Sequence, residues 1–231
     1  MKPTGMIVNG KVVPCDAPVY NWHDHGCEFK PGDGGRATSP KQVIDLAVWH
    51  WTAGEGDYQA LYRVLDQREL GVEWFIGDGK IYQFCDPYRV DAFGAGKYNP
   101  RSVSTEVQNY GFRTDPREIP RARRGERPIF TCAQNGRQRK FASFYKEDLD
   151  LVVILARAIS AAIPSIPLTT PAMPDLTPYQ NYIPPQYMKD VKGHVGHYHL
   201  SSDRSDPGPE PLQRLITDKV VTPVVYTPPK R

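Results

Sequence analysis

The sequence has no CxxC pair, no internal repeat, no unbroken apolar stretch of membrane-spanning length and little net charge. Its four cysteines, Cys15, Cys27, Cys85 and Cys132, are widely scattered. That scatter argues against a zinc finger and against a disulfide-dense secreted scaffold. They read as reduced thiols, with Cys15–Cys27 the one pairing left open. A net charge of +3 makes no case for nucleic acid, although a mildly basic chain is still drawn to anionic polymers. The opening "MKPTGMIVNGKVVPCD" lacks the continuous apolar core of a secretory leader. No segment is long enough to cross a bilayer. These absences predict a soluble protein made in the cytoplasm, without membrane insertion and as a monomer.

What is present is turn chemistry and alternating α and β patterns. Nineteen glycines and 23 prolines in 231 residues imply many turns and long loops on one full-sized domain. Residues 1–40 read as an irregular extension. "KQVIDLAVWHWTAG" reads as a buried strand, with Asp57 capping a helix whose Tyr58, Leu61, Tyr62 and Leu65 share a face. "VEWFIGDGKIYQF" is a hairpin signal and "SVSTEVQNYG" a further strand. Residues 112–140 carry nine Arg/Lys against three acids and no periodicity, which predicts a long basic loop. The clearest helix covers 145–163, with Leu149, Val152, Val153, Ala156 and Ile159 as its buried stripe. Seven prolines from Pro164 to Pro185 predict a crossing loop over 164–186. "DVKGHVGHYHLS" returns as a strand, "PLQRLITDKVV" as a last helix, and 223–231 as a Pro-rich tail. The whole is an α/β domain over 41–222, a central mixed sheet flanked by helices.

The histidines carry the chemistry. "GHVGHYHLSSDRSDPGP" places three of the chain's six histidines within six positions, His194, His197 and His199. His50 ends a buried strand, where catalytic residues of open α/β sheets collect. A hydrolytic zinc site needs three protein ligands and one open position. His50, one histidine of the cluster and Asp206 would supply such a set. On a strand His194 and His197 face opposite sides, whereas His197 and His199 share one. "NWHDHGC" offers a rival trio, His23, His25 and Cys27, without a fourth ligand.

The ordered segments "VWHWTAG", "GKIYQF", "SVSTEVQN" and "VGHYHLSSDRSDPGP" resemble the zinc-dependent N-acetylmuramoyl-L-alanine amidases, a family that includes phage endolysins and, more distantly, peptidoglycan recognition proteins. The resemblance covers roughly residues 40–220. It implies Zn²⁺ held by His50, His197 and Asp206, with Glu106 as the acid–base group and Arg204 stabilising the oxyanion. His194 and His199 are then left with structural roles. Where the family often has "WHAG", this chain has "FGAG", so Gly94 stands in place of a histidine. The implied partner is peptidoglycan, cut at the amide between N-acetylmuramic acid and L-alanine. The implied setting is phage lysis of the host wall, with cytoplasmic muropeptide recycling or a non-catalytic peptidoglycan binder as alternatives.

Overall fold

A computed structural model describes residues 1–33, 36, 43–111 and 127–228. Its strands are Met6–Val8 (β1), Lys11–Val13 (β2), Val19–Tyr20 (β3), Leu46–Trp51 (β4), Trp74–Gly77 (β5), Lys80–Gln83 (β6), Ser102–Val107 (β7), Ile129–Gln134 (β8), Arg137–Ala142 (β9), Thr169–Ala172 (β10), Gly193–Gly196 (β11) and Thr222–Val225 (β12). The helices are Trp22–His25 (α1), Tyr58–Gln67 (α2), Lys146–Ala162 (α3), Pro185–Met188 (α4), His197–Leu200 (α5) and Glu210–Thr217 (α6). The architecture is mixed α/β, as expected. Six strands form the central sheet in the order β11-β4-β7-β5-β6-β3. Only β5 and β6 run antiparallel; the other neighbours are parallel.

Helices cover both faces, which is why β4 is buried along nearly its whole length. Alternate residues divide between two cores. Ala47 and Trp49 of β4, with Val103 and Val107 of β7, pack beneath Val152, Ala156 and Ile159 of α3 and Leu212 and Leu215 of α6. Leu46 and Val48 face the other way, into a cluster with Tyr98, Ile183 and Met188. On that second side α2 lays Leu61 and Leu65 against Phe75 and Phe84. Asp57 caps α2 as expected, accepting from the Ala60 N–H at 2.8 Å.

Four expectations need correction. Residues 1–33 are not irregular: β1 and β2 pair, and β3 joins the central sheet. The Gln83 side chain explains the docking, because its amide accepts from the Ile7 N–H at 2.8 Å and donates to the Ile7 carbonyl at 2.6 Å, imitating a strand partner. Most of the basic loop, 112–126, lies outside the described residues, but its remainder is the regular hairpin β8–β9. The Asn135-Gly136 turn drives that hairpin, with both residues at positive φ (50° and 71°) as a type I′ turn requires. The Pro-rich loop contains β10, and the tail begins with β12, which pairs with it in parallel. Lastly, the histidine strand stops at Gly196. His197 to Leu200 form a helical turn, α5, because the His199 ring takes the Gly196 N–H at 3.1 Å.

Candidate metal centre

His50 and Glu106 are brought together by strand register. The two are direct partners across the parallel β4–β7 pair, so both side chains leave the same face of the sheet. That is the face carrying Leu46 and Val48, at the end where the chain leaves the strands. His197 reaches the same spot as the first residue of α5. The loop after α5 then folds back, the Tyr198 N–H meeting the Asp206 carbonyl at 3.1 Å, and delivers the Asp206 side chain.

The three side chains converge on one point. His50 Nδ1 lies 3.0 Å and His197 Nδ1 2.9 Å from the same carboxylate oxygen, Asp206 Oδ2. The two imidazoles meet edge to face with centroids 4.6 Å apart. All three ligand atoms fall within 4.8 Å of one another, and no second such group exists among the described residues. A carboxylate oxygen this close to two imidazole nitrogens needs a proton or a cation on each approach.

The electrostatics suit a cation. Burial and the neighbouring His197 push the His50 pKa down, outweighing the opposite pull of Asp206. Burial alone would raise Asp206, but its bonds to His197 and His50 reverse the shift and hold it well below the usual carboxylate range. Neutral imidazole and ionised carboxylate are the forms that bind metal. Two nitrogens and one oxygen match the donor set of a hydrolytic zinc site, which leaves a fourth position open. The His50 Nε2 is buried with no hydrogen-bond partner among the described residues, where a ligating histidine usually has an outer hydrogen bond to orient it.

Glu106 has the opposite character. Burial and the nearby Asp206 charge raise its pKa well above the ordinary carboxyl value. Its Oε2 is buried with no hydrogen-bond partner among the described residues. Arg204 has an exposed side chain. All five residues line one open groove of about 850 Å³, which also takes in Arg68, Lys97 and Tyr182. Gly94, where a histidine was expected by resemblance, forms part of the same lining. A Cβ there would meet Ser104 Oγ at 2.6 Å, so the packing itself excludes a side chain.

The other histidines are accounted for by hydrogen bonds. The Trp49 indole N–H donates to His194 Nδ1 at 3.3 Å, which leaves the proton on Nε2, 3.0 Å from Ser160 Oγ. His199 uses Nδ1 for the Gly196 N–H and faces the Tyr179 carbonyl with Nε2 at 2.7 Å. His23, His25 and Cys27 form no metal group. His25 instead lies 3.1 Å from the Gln83 carbonyl and accepts the Cys27 N–H. None of the four cysteines forms a disulfide, so Cys15 and Cys27 do not pair. No helix among the described residues is long and apolar enough to cross a membrane.

One contributor was missed by sequence reasoning. Asn135 Oδ1 accepts the Tyr182 N–H at 2.6 Å, and its Nδ2 donates to the Arg204 carbonyl at 3.2 Å. The hairpin tip thereby ties the Pro-rich loop to the loop bearing Arg204 and Asp206. The Asn-Gly pair itself was the available signal, submerged in a charge-rich segment.

No family model and no curated protein matches the sequence. Solved structures with similar backbones are N-acetylmuramoyl-L-alanine amidases and peptidoglycan recognition proteins. The amidase AmiD from E. coli, solved with anhydro-N-acetylmuramic acid-L-Ala-D-gamma-Glu-L-Lys, is 19% identical with a TM-score of 0.48, over 80% of this chain. This chain spans 60% of that one. The endolysin amidase LysCS from Clostridium intestinale is 14% identical with a TM-score of 0.47, covering 80% of this chain and 88% of its own. The Drosophila peptidoglycan recognition protein SD is 16% identical with a TM-score of 0.49, covering 87% and 94% respectively.

Proposed function

We propose that the protein is a zinc-dependent amidase that cleaves peptidoglycan between N-acetylmuramic acid and L-alanine, and that it serves as a phage lysis enzyme. The observation that carries this reading is the convergence of His50 and His197 on one oxygen of Asp206, beside Glu106, in an open groove. His50, His197 and Asp206 would hold the ion. Zinc in such a set lowers the pKa of water to about 7 and polarises a carbonyl, which is what an inert amide requires.

The remaining work falls to the chain's own groups. Glu106 takes the proton of the attacking water and delivers it to the leaving amine of L-alanine. A carboxyl raised by burial is suited to both halves of that transfer near neutral pH. Arg204, carried on the loop that Asn135 fastens, faces the oxygen on which negative charge develops. It acts as a fixed cation, because guanidinium does not release its proton. Trp51 borders the groove and lies against Phe141 of the hairpin at 5.5 Å between ring centroids, which screens one flank of the site.

The test is incubation of the purified protein with bacterial sacculi, with zinc and with a chelator, followed by labelling of new amino termini. Free L-alanine termini that depend on zinc support the reading. Binding to sacculi with no new amine would leave a peptidoglycan-binding module in its place.

A further inference from the structure

Beside the metal groove lies a second pocket, about 1020 Å³, that the amidase chemistry does not use. It opens where the β8–β9 hairpin tip meets the Pro-rich loop and the segment after β12. Tyr182 and Asp203 line both cavities, so the pocket and the groove share a wall. Tyr179, Tyr182, Tyr187 and Tyr226 supply aromatic surface, and Asn181 and Gln186 supply amides. Tyr226 packs edge to face on Tyr179 at 4.8 Å, and its hydroxyl is buried without a partner among the described residues. The pocket is also braced. Tyr179 lies over the His199 ring, and the Asn135 bond to the Tyr182 N–H holds the loop to the hairpin.

We propose that this pocket is a saccharide subsite, taking uncharged N-acetylated sugar units of the glycan whose peptide branch lies in the metal groove. The inference rests on the amidase reading above. Sugars present flat C–H faces ringed by hydroxyl and acetamido groups. Tyrosine rings match the faces, and side-chain amides and hydroxyls match the rim. The volume sits at the upper end of the roughly 300–1,000 Å³ typical of small-ligand sites, enough for an oligomer rather than one ring. Charge argues for a neutral occupant. Arg137 and Arg139 lie on one wall, but Asp203 is part of the lining, and a carboxylate there opposes a polyanion. The shared wall matters most. A glycan strand carrying its peptide into the groove must continue somewhere, and this is the adjoining surface with the right chemistry.

The probe is the tetrasaccharide of N-acetylglucosamine, which has the glycan's rings but neither lactyl group nor peptide, titrated by calorimetry. Saturable binding is expected, weakened about tenfold in Tyr187→Ala and Tyr226→Ala, the ratio for losing one aromatic face. Tyr226→Phe keeps the face and should retain most of the affinity, which separates lost stacking from a lost fold. On sacculi the alanine variants should lose a similar factor in kcat/KM, while their cleavage of a single N-acetylmuramoyl dipeptide stays unchanged. Absence of saturable binding by the wild type, or equal affinity in the alanine variants, overturns the subsite. So does tighter, salt-sensitive binding of a glycerol-phosphate oligomer. Tyrosine-dependent tetrasaccharide binding by a protein that cuts neither substrate would keep the subsite and remove the amidase reading.

Discussion

His194 offers the sharpest separation of structural from chemical histidines. It is fully buried, accepts the Trp49 indole N–H, and sits against the Ser160 hydroxyl. Replacing it with alanine strands the indole donor and the hydroxyl, each at about 1–3 kcal/mol, and opens a cavity beneath α3. His194→Ala should therefore lose about 4 kcal/mol, read as a lower urea midpoint at unchanged slope. The variant should nevertheless bind zinc at the wild-type stoichiometry under folding conditions. A pH series adds an independent check. Burial pushes the His194 pKa from 6.5 down to about 3. Between those values the unfolded chain binds the proton that the folded one refuses. The contribution is fully present above 6.5 and is lost as the pH falls toward 3, at up to about 1.4 kcal/mol per unit. From about pH 6 to 4 the wild type should lose roughly 2.5 kcal/mol more than His194→Ala. Equal pH slopes would refute the buried neutral histidine. Loss of zinc at unchanged stability would make His194 the ligand.

The metal centre predicts a different pattern. His197→Ala and Asp206→Asn should abolish both zinc stoichiometry, measured by elemental analysis, and release of L-alanine termini. Their urea midpoints with chelator present should move far less than that of His194→Ala, since both side chains are partly exposed. Glu106→Gln should keep the ion yet lower kcat by about 10²–10⁴-fold, the usual worth of a positioned acid–base group; retained turnover would exclude that role. Gly94→His, which restores the residue common in the resembling family, should lower the melting temperature rather than raise activity. The cause is the 2.6 Å approach that even a Cβ would make to Ser104 Oγ.

Asn135 tests how far the groove depends on the hairpin. Asn135→Gly preserves the positive φ of the turn, so β8–β9 should survive, whereas Asn135→Val should disturb the turn as well. The glycine variant loses the bonds to the Tyr182 N–H and to the Ser202 and Arg204 carbonyls. Its melting temperature should change by a few degrees only, while proteolysis within 180–205 accelerates. Unchanged protease sensitivity would mean that the Asn135 contacts do not hold these loops.

How much of this was legible beforehand depended on whether the signal was local. The strand at 46–51, the Asp57 cap and the long amphipathic helix follow from propensity and periodicity; the helix lies within one residue of its reading, and the strand is the central part of the stretch read for it. The N-terminal segment did not, because Gln83 lies 76 residues from the backbone that it pairs with. The hairpin at 129–142 was masked by its charge, because Arg137, Arg139 and Lys140 crowd one strand and blur any two-residue period. For the histidine cluster, a strand period put His197 and His199 on one side and left two candidates for one ligand position. The Gly196 N–H separates the two physically. It bonds the His199 ring, which ends the strand, turns His197 toward Asp206 and leaves His199 beneath Tyr179. Three neighbouring histidines thus serve three surroundings: His194 the core under α3, His197 the cluster with His50 and Asp206, and His199 the buried layer behind Tyr179. The division follows from one side-chain-to-backbone hydrogen bond that no strand or helix period encodes.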